Sequence, residues 1–146
     1  MTDNQRTSVV VKETLSGKFM QTMHSGRHEL VADEPKAVGG DDAGPGPYEY
    51  LLMALGACTS MTLRMYADHK KLPLTQVTVR LFHEKIHAQD CSDCETVEGK
   101  VDVITREISL QGDLSPEQRE RLLEIANRCP VHRTLTSEIK VRSKLV

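Results

Sequence analysis

The stretch YEYLLMALGACTSMTLRMYADHK, residues 48–70, reads as one helix about 35 Å long at 1.5 Å per residue. Leu51, Leu55, Cys58, Thr62 and Met65 follow the i, i+4, i+7 spacing and predict one buried face, while Leu52, Leu63 and Tyr66 make the adjoining face apolar as well. A helix apolar over so wide an arc belongs at the centre of a fold, not on its edge. It is preceded by KAVGGDDAGPGP (36–47), whose four glycines and two prolines predict a loop, and Pro47 suits the first turn of the helix.

Around this helix the pattern changes to period two. Upstream, SVVVKET (8–14), KFMQTMHS (18–25) and RHELVAD (27–33) are separated by SGK (16–18) and SGR (25–27) and predict a small antiparallel meander. Downstream, TQVTVRLFHEKIHA (75–88) and KVDVITREISLQG (100–112) alternate like paired strands around the polar loop QDCSDCETVEG (89–99). In both, the apolar face changes partway: Val77, Val79 and Leu81 give way to Phe82, Ile86 and Ala88, and Val101 and Val103 to Ile104, Ile108 and Leu110. Such a switch requires a bulge, a bend or a new packing partner, and it predicts a hairpin arm that extends past its own core onto a second subunit. Ser115-Pro116-Glu117-Gln118 is a helix start with serine as N-cap and glutamine as capping-box partner. SEIKVRSKL (137–145) predicts a final strand. The expected fold is α+β, antiparallel sheets around a long central helix in the order βββ-α-ββ-αα-β, as one domain over residues 1–146.

Composition narrows the function. With 146 residues, 3% aromatics and no tryptophan, the core must be built from Leu, Ile, Val, Met and Ala. A net charge of −2 without a basic stripe argues against nucleic acid or an anionic membrane as partner. The N-terminus lacks a signal-peptide pattern, and LLMALGAC (51–58) is too short to span a bilayer, so a cytoplasmic protein is expected. In that compartment four cysteines point to catalytic, metal-binding or inert core thiols instead of a disulfide framework.

In IANRCPVHRTL (125–135), Cys129 precedes a proline. Proline disfavours helix at the residue before it and is accepted at the first helical position, so Cys129 is expected at an N-cap with Pro130 opening a short helix. The positive end of that helix, with Arg128, His132 and Arg133 nearby in sequence, favours a thiolate; a small buried residue at a kink is the alternative. Cys58 lies on an apolar helix face, where packing is the simpler reading. His83-Glu84-Lys85-Ile86-His87 matches H-E-x-x-H, but in a strand its histidines stand about 13 Å apart, too far for one zinc. Cys91-Ser92-Asp93-Cys94 has the spacing of a metal or redox pair, though incidental loop thiols are the plainer reading; its acidic neighbours disfavour a fast nucleophile, and with Cys129 and His132 it composes a rival zinc site. The acidic GGDDAGPGP (39–47) is no phosphate cradle.

The run GGDDAGPGPYEYLLMALGACTSMTLRMYA (39–67), taken with LLEIANRCPVHRTL (122–135), resembles the osmotically inducible protein C / organic hydroperoxide resistance (OsmC/Ohr) family over nearly the whole chain. The stretch from Asp33 to Thr59 also resembles the OsmC-like module found fused to hydrolases. The resemblance implies an intertwined homodimer and a thiol peroxidase for organic hydroperoxides that needs no metal or organic cofactor. It makes Cys58 the attacking thiol, Cys129 the resolving one, and a dithiol the reductant. It also implies an activating arginine from the N-terminal strands, held by a glutamate after the helix-opening proline. Here Tyr48 follows Pro47 and the acid is Glu49, about 13.5 Å along the helix from Cys58, where it is able only to orient a cation. Arg27 and Lys18 are the candidate cations. A zinc-stabilised or small-molecule-binding module without turnover is the alternative function.

Overall fold

The computed structural model describes residues 6–146 and divides into an N-terminal unit ending at Leu51 and a C-terminal unit, Leu52–Val146. In the first, β1 (Val10–Glu13), β2 (Gln21–Ser25) and β3 (His28–Ala32) form the expected antiparallel meander in the order β1-β2-β3. The loop after β3 is organised by a single carboxylate. Asp33 is buried and accepts backbone N–H groups of Glu34, Asp41 and Ala43 at 2.8, 3.2 and 3.1 Å, so the acid replaces the regular hydrogen bonds that glycine and proline deny this segment. Donation from Ala43, then Glu34, holds its pKa below the usual carboxylate value. Within the loop Lys36–Val38 forms one 3₁₀ turn, a regular element absent from the sequence expectation.

Helix α1 (Pro47–His69) starts where the proline predicts. Its buried stripe, however, is Leu55, Thr59, Leu63 and Ala67 with Gly56, rotated by about one residue from the expected face. Met65, expected to be buried, is 72% exposed, and Leu51 is also exposed. The stripe differs from the hydrophobic pattern because Leu55 and Leu63 share it with Gly56, Thr59 and Ala67, residues whose hydropathy gives no strong burial signal. Thr59 is buried because its hydroxyl is fully bonded, and Gly56 because Leu81 lies where a side chain would stand.

In the C-terminal unit β4 (Leu74–His87) and β5 (Lys100–Gly112) form a long antiparallel hairpin. Its register runs from Gln76↔Gln111 to His87↔Lys100 without interruption, and the irregularity lies at Leu74/Gln76, away from the face switch. No bulge explains the switch; the apolar side changes along an unbroken ladder. Its near half packs Val77, Ile108 and Leu110 on a core of Leu63, Ala67, Leu74, Leu114, Leu122, Ile125 and Ala126. Beyond Leu81 and Arg106 the apolar residues Phe82, Ile86, Val101 and Val103 lie on the opposite face, outside this core, and Phe82 is 47% exposed.

Two arginines fix the hairpin's near end. Arg64 of α1 donates to the Leu74 and Thr75 carbonyls at 2.7 and 3.3 Å, and Arg119 donates to those of Leu110 and Gly112 at 2.8 and 3.1 Å. Helix α2 (Pro116–Ala126) has the complete capping box: Gln118 N–H donates to Ser115 Oγ at 3.1 Å and Ser115 N–H to Gln118 Oε1 at 2.9 Å. Helix α3 (Pro130–Leu135) follows. The strand expected at 137–145 does not form. A strand's hydrogen bonds need a neighbour, neither sheet includes this segment, and Val141 and Leu145 stand exposed.

Candidate active site

Cys129 occupies the N-cap of α3 with extended backbone (φ −61°, ψ 139°), as its place before Pro130 predicts. Its Sγ accepts the His132 N–H at 3.2 Å, taking up one of the amides that the first turn leaves unpaired. The sulfur is fully buried, whereas Cys58 on α1 is partly accessible. Thr59, directly after Cys58, brings α1 to α3: its Oγ1 lies 3.8 Å from Cys129 Sγ.

The hydroxyl geometry fixes direction. Thr59 donates its one proton to the Leu55 carbonyl at 2.7 Å and accepts from Arg106 Nη1 at 2.8 Å. Its remaining lone pair is therefore an acceptor for the Cys129 thiol. Arg106, on β5, ties the centre together. Nη1 also donates to the Ala126 carbonyl at 3.1 Å, and Nη2 donates to Asn127 Oδ1 at 2.9 Å and to His132 Nδ1 at 3.0 Å. An arginine only donates, so Nδ1 is unprotonated and the imidazole carries its proton on Nε2. Burial, followed by the charge of Arg106, lowers the His132 pKa and favours that neutral form. His132 thus serves Cys129 through its backbone amide, and the fixed positive charge in this cluster belongs to Arg106.

The sequence did not single out Arg106. It lies in a strand far upstream of the cysteine motif, and the one local signal is its position: on the hairpin face otherwise occupied by Ile104, Ile108 and Leu110, a charged residue demands a buried partner. Arg128 and Arg133, sequence neighbours of Cys129, are exposed. Leu55, Asp102, Ile104, Arg106, His132, Leu135 and Thr136 line a cavity of about 230 Å³.

Lys18 stands over the Phe19 ring at 4.9 Å, Arg27 is in the exposed turn between β2 and β3, and Glu49 is exposed in the first turn of α1, all in the N-terminal unit. His83 and His87 are in strand β4, as expected, with His83 Nε2 2.8 Å from Asp102 Oδ1. The rival four-ligand zinc site does not assemble. Cys91 and Cys94 are disulfide-bonded to each other and group with Asp93, while Cys129 and His132 stay with Arg106 and Thr59. The hairpin explains the separation: its loop begins six residues along β5 from Arg106, about 20 Å at 3.3 Å per residue.

The family model described as OsmC-like protein matches residues 39–144, which include both single cysteines and the Arg106 strand. The chain belongs to the OsmC-like protein family. The fold agrees with solved structures at low sequence identity. An OsmC-like protein from Mycoplasma pneumoniae is 20% identical with a TM-score of 0.69, over 90% of this chain and 88% of that one. An organic hydroperoxide resistance protein OsmC from Legionella pneumophila is 18% identical with a TM-score of 0.63, over 90% and 89%. The organic hydroperoxide resistance protein OhrB of Bacillus subtilis is 17% identical with a TM-score of 0.60, over 90% of each chain. No curated protein sequence matches the chain significantly. Among the described residues no helix is long and apolar enough to cross a membrane.

Proposed function

We propose that the chain is a thiol peroxidase for organic hydroperoxides, with Cys58 as the attacking and Cys129 as the resolving thiol. The observation that carries this reading is the division of access and bonding between the two sulfurs. Cys58 is partly accessible and can meet a substrate, while buried Cys129 sits beside the next residue of the same helix, poised to receive an intermediate formed on α1. The Cys58 thiolate attacks the O–O bond, releasing the alcohol and leaving a sulfenic acid; condensation with the Cys129 thiol expels water and forms a disulfide. A dithiol then returns two electrons and two protons. The aliphatic wall of Leu55, Ile104 and Leu135 suits an organic substituent, and Leu55 is one turn from Cys58 on α1. Arg106, bonded to Thr59 beside Cys58, is one candidate for the activating cation; Lys18 or Arg27, oriented by Glu49, are the cations that family resemblance favours. The homodimer belongs to this reading, supported by the apolar residues that the far half of the hairpin carries outside the core, and so does a cytoplasmic location.

The test is consumption of cumene hydroperoxide with dithiothreitol, with disulfides mapped by mass spectrometry. Turnover with a Cys58–Cys129 link is expected, together with its loss in Cys58→Ser and sulfinic acid at Cys58 in Cys129→Ser. A folded protein that consumes no peroxide and leaves Cys58 unoxidised overturns the proposal.

A further inference from the structure

The hairpin loop carries a second sulfur pair that the peroxidase reading does not use. Cys91 and Cys94 are bonded to each other, with their α-carbons 5.5 Å apart, inside the usual range for a disulfide. Both residues are partly accessible, so an incoming thiolate can reach either sulfur. The loop closes on itself at its base, where Ala88 N–H donates to the Gly99 carbonyl at 2.8 Å and Cys91 N–H to that of Ala88 at 3.1 Å. The second of these bonds fixes the backbone at Cys91 independently of its sulfur. Asp93 Oδ1 lies 3.4 Å from Cys91 Sγ, a partner for the thiol that reduction would create. Nothing in the β4–β5 ladder or the core requires the cross-link, because neither involves residues 91–94.

We propose that Cys91 and Cys94 form a second two-electron thiol–disulfide centre, which exchanges with dithiols in solution independently of Cys58 and Cys129. In the reductive direction a dithiol's thiolate attacks one loop sulfur and breaks the Cys91–Cys94 bond. The released loop thiolate takes a proton, and the donor's second thiol then displaces the other cysteine. The donor leaves as a disulfide, having given two electrons and two protons to the loop; a disulfide partner drives the reverse. The same loop carries Asp90, Asp93, Glu95 and Glu98 and no basic residue, which favours uncharged or cationic thiol partners over anionic ones.

The experiment equilibrates the natural chain across a series of reduced-to-oxidised dithiothreitol ratios. Samples are quenched by alkylation and the state of each cysteine is read by peptide mass spectrometry, which separates this centre from Cys58 and Cys129 without any variant. The expected result is a single two-electron transition in the 91–94 peptide, with unchanged circular dichroism. The same transition is expected in Cys58→Ser, and unchanged peroxide consumption with saturating dithiothreitol is expected in the Cys91→Ser, Cys94→Ser double variant. Thiols that stay reduced at every ratio, a bond reduced only on unfolding, links to other cysteines, or a stoichiometric metal on the two thiols would each overturn it. None of these outcomes bears on whether Cys58 reacts with peroxide.

Discussion

Arg106 is where a single side chain has the widest reach. It satisfies the Ala126 carbonyl at the end of α2, Thr59 on α1, Asn127 in the link between helices, and His132 on α3. Arg106→Met keeps the length of the stem and removes every one of these donors. It should lower stability by about 1–3 kcal/mol, read by urea denaturation, because partly buried acceptors are left unpaired. His132 supplies a pH signature of the same cluster. Its folded pKa lies below the unfolded value of about 6.5, so the folded state binds fewer protons; its contribution is complete above that value and is lost as pH falls towards the folded pKa. Protonation also removes the lone pair that Arg106 uses. His132→Gln should flatten the denaturation profile on the acid side of pH 6.5, and an unchanged slope would argue against a half-buried neutral imidazole.

At the scale of elements, the parts legible in the sequence are those whose signal is local. The capping box at Ser115, the N-cap at Cys129 and the proline opening of α1 depend on residues within one turn, and each forms as read. The strand pattern of His83 to His87 also sufficed to reject a zinc motif. What failed depended on distant partners. The buried face of α1 is set by Arg106 bonding Thr59 and by Leu81 covering Gly56, neither visible from the helix itself; the missing last strand lacked a neighbour, and the length of the hairpin keeps the loop cysteines apart from Cys129. A β-carbon on Gly56 would lie 2.7 Å from Leu81 Cδ1. Gly56→Ala gains up to about 1 kcal/mol of helix propensity, against about 1–3 kcal/mol for overpacking. Net destabilisation is expected in a thermal melt, and relief by a second change, Leu81→Val, would identify the clash as the cause.

At the scale of the molecule, the hairpin is unequal along its length: one half backs a core, the other carries apolar residues outside it. If a second copy covers that far half, amide exchange in the far segments, residues 82–87 and 100–104, should slow as protein concentration rises, while Val77–Leu81 stays constant. Equal behaviour in both segments across a hundredfold dilution would count against a dimer built on this face. The continuous ladder has one more consequence, for how the family can vary. With no bulge to absorb a length change, losing one residue between Leu81 and Ile86 would rotate the outer apolar set onto the inner side. Losing two would restore it, so lineages of this hairpin should differ there by even steps, a parity rule written into the backbone.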